Sequence, residues 1–387
     1  MAHQHTSTLH IFPPGLSFNQ QRISRRTMLR NLAGLALAGG SIIQFVTACG
    51  PASPSSVSPT STPTVPPLGT VLYTYRGDSI SVLAVAWSPD GKRIASATID
   101  GSVHVWDAMT GGRLYIYHGH PTGVFAVGWS PDSKRIASAS FDTTVQVWNA
   151  ADGEQVFTYR GHSEAVYGVA WSPDRKRIVS ASGDKTVQVW DAANSGHVFI
   201  YRGHADPVVT VAWSPDGTRI ASGGGGNFAT GSGGDTTVQV WNVTNGDQVY
   251  TYRGNAHGVR VAWSPDSKRI ASGDYDATVQ VWDAADGGHL YIYRGHSSAV
   301  SDVAWSPRST RIASASGDKT VQIWNAANGG DVYIYRGHAD AVSRITWSPD
   351  GTRIASAGGG NPATGVGGDT TVQVWQAVRT QSGDLKD

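Results

Sequence analysis

The chain contains serine, histidine and aspartate in an arrangement that could do hydrolytic chemistry. Residues 161–190 read GHSEAVYGVAWSPDRKRIVSASGDKTVQVW and include His162, Ser180 and Asp184. These three residue types form the triad by which serine hydrolases activate a nucleophile. The same set recurs along the chain, however, and nucleophilic catalysis needs one exposed, activated serine rather than several equivalent ones. The recurrence favours a structural role over a catalytic one.

The chain is built from an internal repeat. Its 14 tryptophans fall into two series of seven, the first in AWSPD-like and the second in VQVW-like stretches. Five of the six steps in the first series are 42 residues long, and the step from Trp213 to Trp263 is 50. The first series comprises Trp87, Trp129, Trp171, Trp213, Trp263, Trp305 and Trp347, and the second comprises Trp106, Trp148, Trp190, Trp241, Trp282, Trp324 and Trp375. A period of this length is typical of propellers and solenoids.

Each unit predicts four short strands and no helix, because apolar and polar residues alternate and no helical period is present. In the third unit the predicted strands are VYGVAW (166–171), KRIVSAS (176–182), TVQVW (186–190) and HVFIYRGH (197–204). Between the first two, Ser-Pro-Asp followed by Gly or Ser predicts a type I turn, with proline at its second position.

These motifs resemble the WD40-repeat family, and the resemblance covers about residues 70–378. It rests on GH (203–204), WSPDG (87–91 and 213–217), SASxD (138–142 and 180–184) and VWD (105–107 and 189–191). Seven such units imply an all-β, seven-bladed propeller with four antiparallel strands per blade. Residues 70–76 form an unmatched fourth strand before the first unit, and the resemblance implies that this strand closes blade seven.

The resemblance also implies that His, Ser, Asp and Trp form a buried hydrogen-bonded tetrad in each blade. The complete sets are His120, Ser138, Asp142 and Trp148; His162, Ser180, Asp184 and Trp190; His204, Ser222, Asp235 and Trp241; His296, Ser314, Asp318 and Trp324; and His338, Ser356, Asp369 and Trp375. Blade one has Asp78 where the histidine is expected, and blade five has Asn255 with His257 nearby. We therefore expect structural tetrads, no catalytic or metal site, and no cofactor.

The N-terminal segment resembles a bacterial export signal. SRRTMLR (24–30) resembles the twin-arginine motif through Arg25 and Arg26, and an apolar run follows at 32–48. The run ends in VTAC (46–49), which resembles a lipobox and implies lipidation of Cys49, the only cysteine. An ordinary membrane anchor and a spare thiol are the alternatives; the run is short and interrupted by glycine, which disfavours the anchor.

The sequence thus predicts four segments: a signal peptide (1–48), a Pro/Ser/Thr-rich linker (49–69), the propeller (70–378) and a C-terminal tail (379–387). We expect the protein to lie outside the cytoplasm, anchored to a bacterial membrane by Cys49. A net charge of +1 gives no broad basic surface for nucleic acid. A single cysteine excludes an intramolecular disulfide and a Cys-based zinc site.

Three functions remain open. The first is a monomeric interaction scaffold that binds a protein or peptide. The second is a small-molecule or glycan binder, or an enzyme, that uses the central channel, but the strands expected to line it carry only Arg260, Asp302 and Arg344 as charged residues. The third is a structural spacer, which predicts random differences among the surface positions of the units.

The differences among units are not random. They concentrate four residues before the first tryptophan and immediately before the tetrad aspartate, positions that the family resemblance places on the face with the d–a and b–c loops. In blade five, which is one residue shorter, the first position is either Val259 or Arg260. Nine-residue insertions in units four and seven (within 222–235 and 356–369) border the same face. The predicted partner-binding residues are Leu83, Ile99, Phe125, Phe141, Tyr167 and Tyr275. The alternative is that these side chains only fill the mouth of the channel.

Overall fold

The computed structural model describes residues 66–76, 81–196, 198–225, 234–254, 259–359 and 368–377. The signal segment with Arg25 and Arg26, Cys49, the linker up to residue 65, most of each insertion and residues 378–387 lie outside these ranges. No helix long and apolar enough to cross a membrane occurs among the described residues.

The described chain forms seven antiparallel sheets of four strands each. It starts with β1 (Val71–Tyr75), which belongs to blade seven. Blades one to three contain β2 (Val82–Trp87), β3 (Arg93–Thr98), β4 (Val103–Asp107), β5 (Arg113–Tyr117), β6 (Val124–Trp129), β7 (Arg135–Ser140), β8 (Val145–Asn149), β9 (Gln155–Tyr159), β10 (Val166–Trp171), β11 (Arg177–Ser182), β12 (Val187–Asp191) and β13 (Phe199–Tyr201). Blades four and five contain β14 (Val208–Trp213), β15 (Arg219–Gly224), β16 (Val238–Asn242), β17 (Gln248–Tyr252), β18 (Arg260–Trp263), β19 (Arg269–Gly273), β20 (Val279–Asp283) and β21 (His289–Tyr293). Blades six and seven contain β22 (Val300–Trp305), β23 (Arg311–Ser316), β24 (Val321–Asn325), β25 (Tyr333–Tyr335), β26 (Val342–Trp347), β27 (Arg353–Gly358) and β28 (Val372–Gln376).

Apolar side chains pack between adjacent blades and form seven core clusters around the ring. Between blades one and two, the small residues Ala95 and Ala97 of β3 meet the large Ile136 and Trp148 of blade two. A small face against a large face fills the space between twisted sheets without voids. This explains why each unit carries an alanine-rich second strand and a tryptophan in the third.

The predicted turns follow the first strand of each blade. In blade three the amide of Arg175 donates to the carbonyl of Ser172 at 2.9 Å, and the Ser172 hydroxyl accepts from the amide of Arg177. The fourth turn residue has a positive φ, as in Gly91 (72°) and Arg175 (65°). Glycine adopts this left-handed conformation freely, whereas arginine does so at some cost.

The ring closes by pairing the two ends of the propeller. β1 pairs antiparallel with β28, with Val71 opposite Trp375 and Tyr75 opposite Val372. The ring of Tyr75 then stacks on Trp106 of blade one, with centroids 5.0 Å apart. The predicted fold, an all-β seven-bladed propeller closed by an N-terminal strand, is therefore confirmed.

Candidate functional site: buried tetrads and the loop face

The structure brings the four members of each complete tetrad within hydrogen-bond distance. In blade three, His162 Nδ1 lies 2.8 Å from Asp184 Oδ2, and His162 Nε2 lies 2.8 Å from Ser180 Oγ. The indole Nε1 of Trp190 donates to the same Ser180 Oγ at 3.2 Å. The other four complete sets have the same connectivity.

Each tetrad has the connectivity of a serine-hydrolase triad without its accessibility. A consistent assignment has the serine hydroxyl donating to histidine Nε2, and histidine Nδ1–H donating to the carboxylate. The serine oxygen also accepts from the tryptophan, and Ser180 is 0% exposed. A nucleophile must reach its substrate, and these buried serines lack the exposure that this requires.

The tetrad aspartates are held in the ionised form. Burial alone would raise the pKa of Asp184, but hydrogen bonds from His162 and Thr186 outweigh it and lower that pKa to about 2. Burial lowers the pKa of His296, and its bond to Asp318 offsets this only in part. The His296–Asp318 pair therefore favours a neutral histidine beside a charged carboxylate, which agrees with His296 Nδ1–H donating to Asp318.

Sequence reasoning missed two further members of this network. The hydroxyl of Tyr159 donates to Gln188 Oε1 at 2.5 Å, and Gln188 Nε2 donates to the carbonyl of Gly161 at 3.2 Å. Tyr159 also stacks on Trp190 at 4.4 Å. The signal was present in the sequence, because YRGH and VQVW recur together, but only the fold shows that their side chains meet.

Blades one and five differ from the others in this network. The indole nitrogens of Trp106 and Trp282 are buried and have no hydrogen-bond partner among the described residues. Asp78, Asn255 and His257, which the sequence places at the missing histidine, lie outside the described residues. In blade one His104 occupies the place of the glutamine, and its Nδ1 lies 2.8 Å from the hydroxyl of Tyr75.

The first divergent position is a β-bulge. The pairing of β10 with β11 shifts register between Val166 and Gly168, and Tyr167 lies at this shift. The same shift occurs in all blades except blade five, where pairing starts at Arg260 opposite Gly273. Bulges change the direction of a side chain next to a binding site. The register resolves the blade-five ambiguity: Arg260 aligns with the residue after the bulge, and Val259 is fully buried.

Three of the predicted binding residues form an aromatic cluster, defined as Phe125, Phe141 and Tyr167. The ring centroids of Phe125 and Tyr167 are 5.2 Å apart, and those of Phe125 and Phe141 are 6.1 Å apart. The side chain of Phe141 is 44% exposed, while Phe125 and Tyr167 are half-buried. The Phe125–Tyr167 contact is edge-on and the Phe125–Phe141 contact is tilted, and aromatic pairs at these distances are favourable. The cluster spans blades two and three.

The remaining predicted binding residues lie elsewhere on the ring. Leu83 and Ile99 are half-buried in blade one, where the amide of Ile99 donates to the carbonyl of Ser81 at 3.2 Å. The equivalent bond from Phe141 to Gly123 (3.0 Å) ties the b–c turn of blade two to the start of its first strand. Tyr275 lies in blade five and is 56% exposed. The structure therefore places Tyr275 apart from the aromatic cluster along the ring.

The serines at the bulge positions of blades six and seven have a different role. The hydroxyl of Ser343 donates to the carbonyl of Val82 in blade one at 2.8 Å, and Ser301 donates to the carbonyl of Val342. The bulge position therefore joins neighbouring blades where it is a serine, in blades six and seven. In blades two and three the same position carries the aromatic rings of Phe125 and Tyr167.

A cavity lies in the channel directly beside the aromatic cluster. It measures about 150 Å³, and its lining includes Phe125 and Tyr167 on one side and Arg260, Asp302 and Arg344 on the other. No cluster of residues able to hold a metal ion occurs in the described ranges.

The fold places this chain in the class of β-propeller repeat proteins. Its blades are four-stranded, and five of them contain a buried His–Ser–Asp–Trp network. The family described as WD domain, G-beta repeat matches seven times, at residues 69–107, 111–149, 153–191, 195–242, 246–283, 287–325 and 329–376. The chain therefore belongs to the WD40 family, whose propellers are generally non-enzymatic scaffolds that mediate protein–protein interactions. No curated protein matches the chain.

The matched repeats are offset from the blades by one strand. The first repeat, 69–107, combines β1 of blade seven with the first three strands of blade one. Each repeat thus links two blades. The seventh repeat supplies three strands of blade seven, and the first repeat supplies the fourth, β1.

Proposed function

We propose that this protein is an exported scaffold, anchored to a bacterial membrane through lipidated Cys49, that binds a protein or peptide on the face carrying the d–a and b–c loops. The observation that carries the binding part is the aromatic cluster, two of whose rings line the channel cavity. The export and anchoring parts rest on the sequence of residues 24–49.

The aromatic cluster supports a binding role because it is exposed where the tetrads are not. Phe141 leaves a large apolar surface in water at 44% exposure, beside Phe125 and Tyr167. Aromatic residues dominate the energetics of protein interfaces, particularly where they gather near the centre of a patch. The copies diverge at these positions while the core of every unit is retained, and this divergence supports recognition by the loop face.

The alternative function, a small-molecule or glycan binder or an enzyme acting in the channel, is less well supported. The cavity of about 150 Å³ is smaller than the roughly 300–1,000 Å³ of sites that enclose a whole small-molecule ligand. It is large enough for one side chain of a peptide, which agrees with the scaffold proposal.

Export and anchoring make separate predictions. Replacing Arg25 and Arg26 together by lysine should leave the protein in the cytoplasm, while replacing Arg22 and Arg30 by lysine should not.

Cys49→Ala should abolish acylation and release the exported protein from the membrane. Fractionation and labelling with a fatty-acid analogue test both; a wild-type protein that incorporates no label would contradict anchoring.

Removal of the aromatic cluster should weaken partner binding without unfolding the propeller. Phe125→Ala with Phe141→Ala should reduce capture from the native envelope fraction about tenfold or more, since each truncation costs about 1–2 kcal/mol of binding. The matched control is Leu114→Ala with Leu290→Ala, two exposed residues on the outer strands of blades one and five. If capture persists while thermal stability falls sharply, the rings belong to the core and the binding site lies elsewhere.

A further inference from the structure

We propose that the channel cavity binds a carboxylate presented by the peptide partner, either an acidic side chain or a free chain end. This inference rests on the scaffold function proposed above and specifies the chemistry of its partner. The groups that carry it are Arg260, Arg344 and Asp302, which we name the charged triplet.

The charged triplet occupies one level of the channel. Arg260, Asp302 and Arg344 pair with Gly273, Ala315 and Ala357 of the second strands, so they hold equivalent positions in blades five, six and seven. At the same level, blades one to four carry Ala84, Ala126, Gly168 and Thr210. All seven positions line the cavity. The small residues of blades one to four leave the space into which the charged triplet of blades five to seven faces.

The arginines keep hydrogen-bond donors for a ligand. Arg260 Nη1 donates to the carbonyl of Val209 at 2.8 Å, and Arg344 Nη1 donates to that of Ser343 at 2.7 Å. Both acceptors are bulge residues, whose carbonyls are available outside the regular ladder. Each guanidinium makes only this one hydrogen bond to the described residues. A guanidinium has five N–H donors in a planar fork that matches a carboxylate, so each retains donors at the cavity.

Asp302 does not neutralise these arginines by direct pairing. Its Oδ1 accepts from the amide of its neighbour Val303 and its Oδ2 from the amide of Ile345 in blade seven, both at 3.0 Å. Among the described residues, the ion pairs involve other groups, and none joins Asp302 to either arginine. With Asp302 ionised, the three groups carry one net positive charge, which matches a singly charged carboxylate better than a doubly charged phosphate.

Burial of the charged groups strengthens the attraction. Burial and the neighbouring Arg260 lower the pKa of Arg344 to about 10, so its guanidinium is still charged at neutral pH. Burial raises the pKa of Asp302, which the two arginines oppose. The aromatic cluster lies at the same cavity, so an acidic residue that enters the channel would leave the adjoining part of the peptide against Phe125 and Tyr167.

The test measures the binding of short peptides to the full chain by isothermal titration calorimetry. The probes are acetyl-Phe-Gly-Glu-Gly-amide, its Gln and phosphoserine counterparts, and acetyl-Phe-Gly-Gly with a free terminal carboxylate. We expect the Glu probe, the free-terminus probe or both to bind at least about tenfold more tightly than the Gln probe. Comparison of the two acidic probes identifies the source of the carboxylate. Tighter binding of the phosphoserine probe than of either acidic probe would overturn the assignment to carboxylate.

Variants separate charge recognition from a structural role. Arg344→Gln and Arg260→Gln should each weaken binding of the acidic probe about tenfold or more, whereas Asp302→Asn should strengthen it. Arg113→Gln, at an exposed position on an outer strand, is the matched control and should change nothing. Ala126→Leu should block binding by filling the cavity while all three charges remain.

Failure of this inference differs from failure of the scaffold proposal. If the acidic probes bind no better than the Gln probe, or if the arginine variants bind them as well as the wild type, the carboxylate site is wrong. Partner capture that still depends on Phe125 and Phe141 would then leave the scaffold proposal in place. Should an arginine variant fail to fold, the comparison of probes on the wild type and on Ala126→Leu still decides the question.

Discussion

Asp184→Ala is expected to lower the free energy of unfolding by about 3 kcal/mol, because it removes one partner from a buried, hydrogen-bonded pair. The Asp184 side chain is only 8% exposed, and that of His162 is fully buried. Without the carboxylate, His162 Nδ1 and the hydroxyl of Thr186 both lose their acceptor. Urea unfolding of the full chain, followed by tryptophan fluorescence, measures the loss.

The matched control is Asp174→Ala in the same blade. Asp174 also accepts side-chain and backbone hydrogen bonds, from Ser172 and Lys176, but it lies in an exposed turn. Its replacement should therefore cost clearly less than that of Asp184, since water can satisfy the groups left behind. Equal losses in the two variants, or no loss in Asp184→Ala, would contradict the structural role of the tetrad.

The same aspartate makes stability depend on pH in a defined direction. The pKa of Asp184 is lowered from 3.8 to about 2, so the folded chain binds its proton less readily than the unfolded chain does. Its contribution is fully present above the ordinary value of 3.8 and is lost as the pH falls through about 2. Asp184→Asn removes this titration, so the stability of that variant should fall less steeply between about pH 4 and about pH 2.

Deletion of residues 70–76 is expected to have the largest effect, because it opens the ring. β28 would lose one of its two partner strands, and the backbone groups on that side would become an exposed edge. In blade one, Trp106 would lose the stacked ring of Tyr75. The carbonyl of Ala108 would lose the 2.7 Å hydrogen bond from the hydroxyl of Tyr73. We expect aggregation, measured by the soluble fraction and by size-exclusion chromatography.

The control is a pair of chains that differ only in the closing strand. A chain beginning at Gly69 retains β1 and should be soluble and cooperative in unfolding, whereas a chain beginning at Gly77 lacks it. Addition of a synthetic peptide of residues 69–76 should restore part of the solubility of the shorter chain, because the vacant edge accepts one strand. Equal behaviour of the two chains would show that closure does not need β1.

The sequence was informative wherever a feature repeats. The seven units, their strands and turns, and the closing strand at 70–76 could be predicted because each copy carries the same alternation and the same Ser-Pro turn. The resemblance to the WD40 family implied the five complete tetrads, and His162, Ser180 and Asp184 have counterparts at corresponding positions in four other blades. Such interactions lie within one blade and its preceding loop, and the His-to-Ser separation is 18 residues in all five sets, although the insertions lengthen the Ser-to-Asp separation from 4 to 13 residues in blades four and seven.

Only the tertiary structure decided what the non-repeating residues do. Tyr167 is a bulge residue in contact with Phe125 of the preceding blade, and Ser343 at the equivalent position binds the carbonyl of Val82 across the closure. Arg260 and Arg344 are 84 positions apart in the sequence yet line the same cavity. The physical reason is ring closure: it brings equivalent positions of all blades to one level of the channel, where their side chains meet although no local pattern relates them.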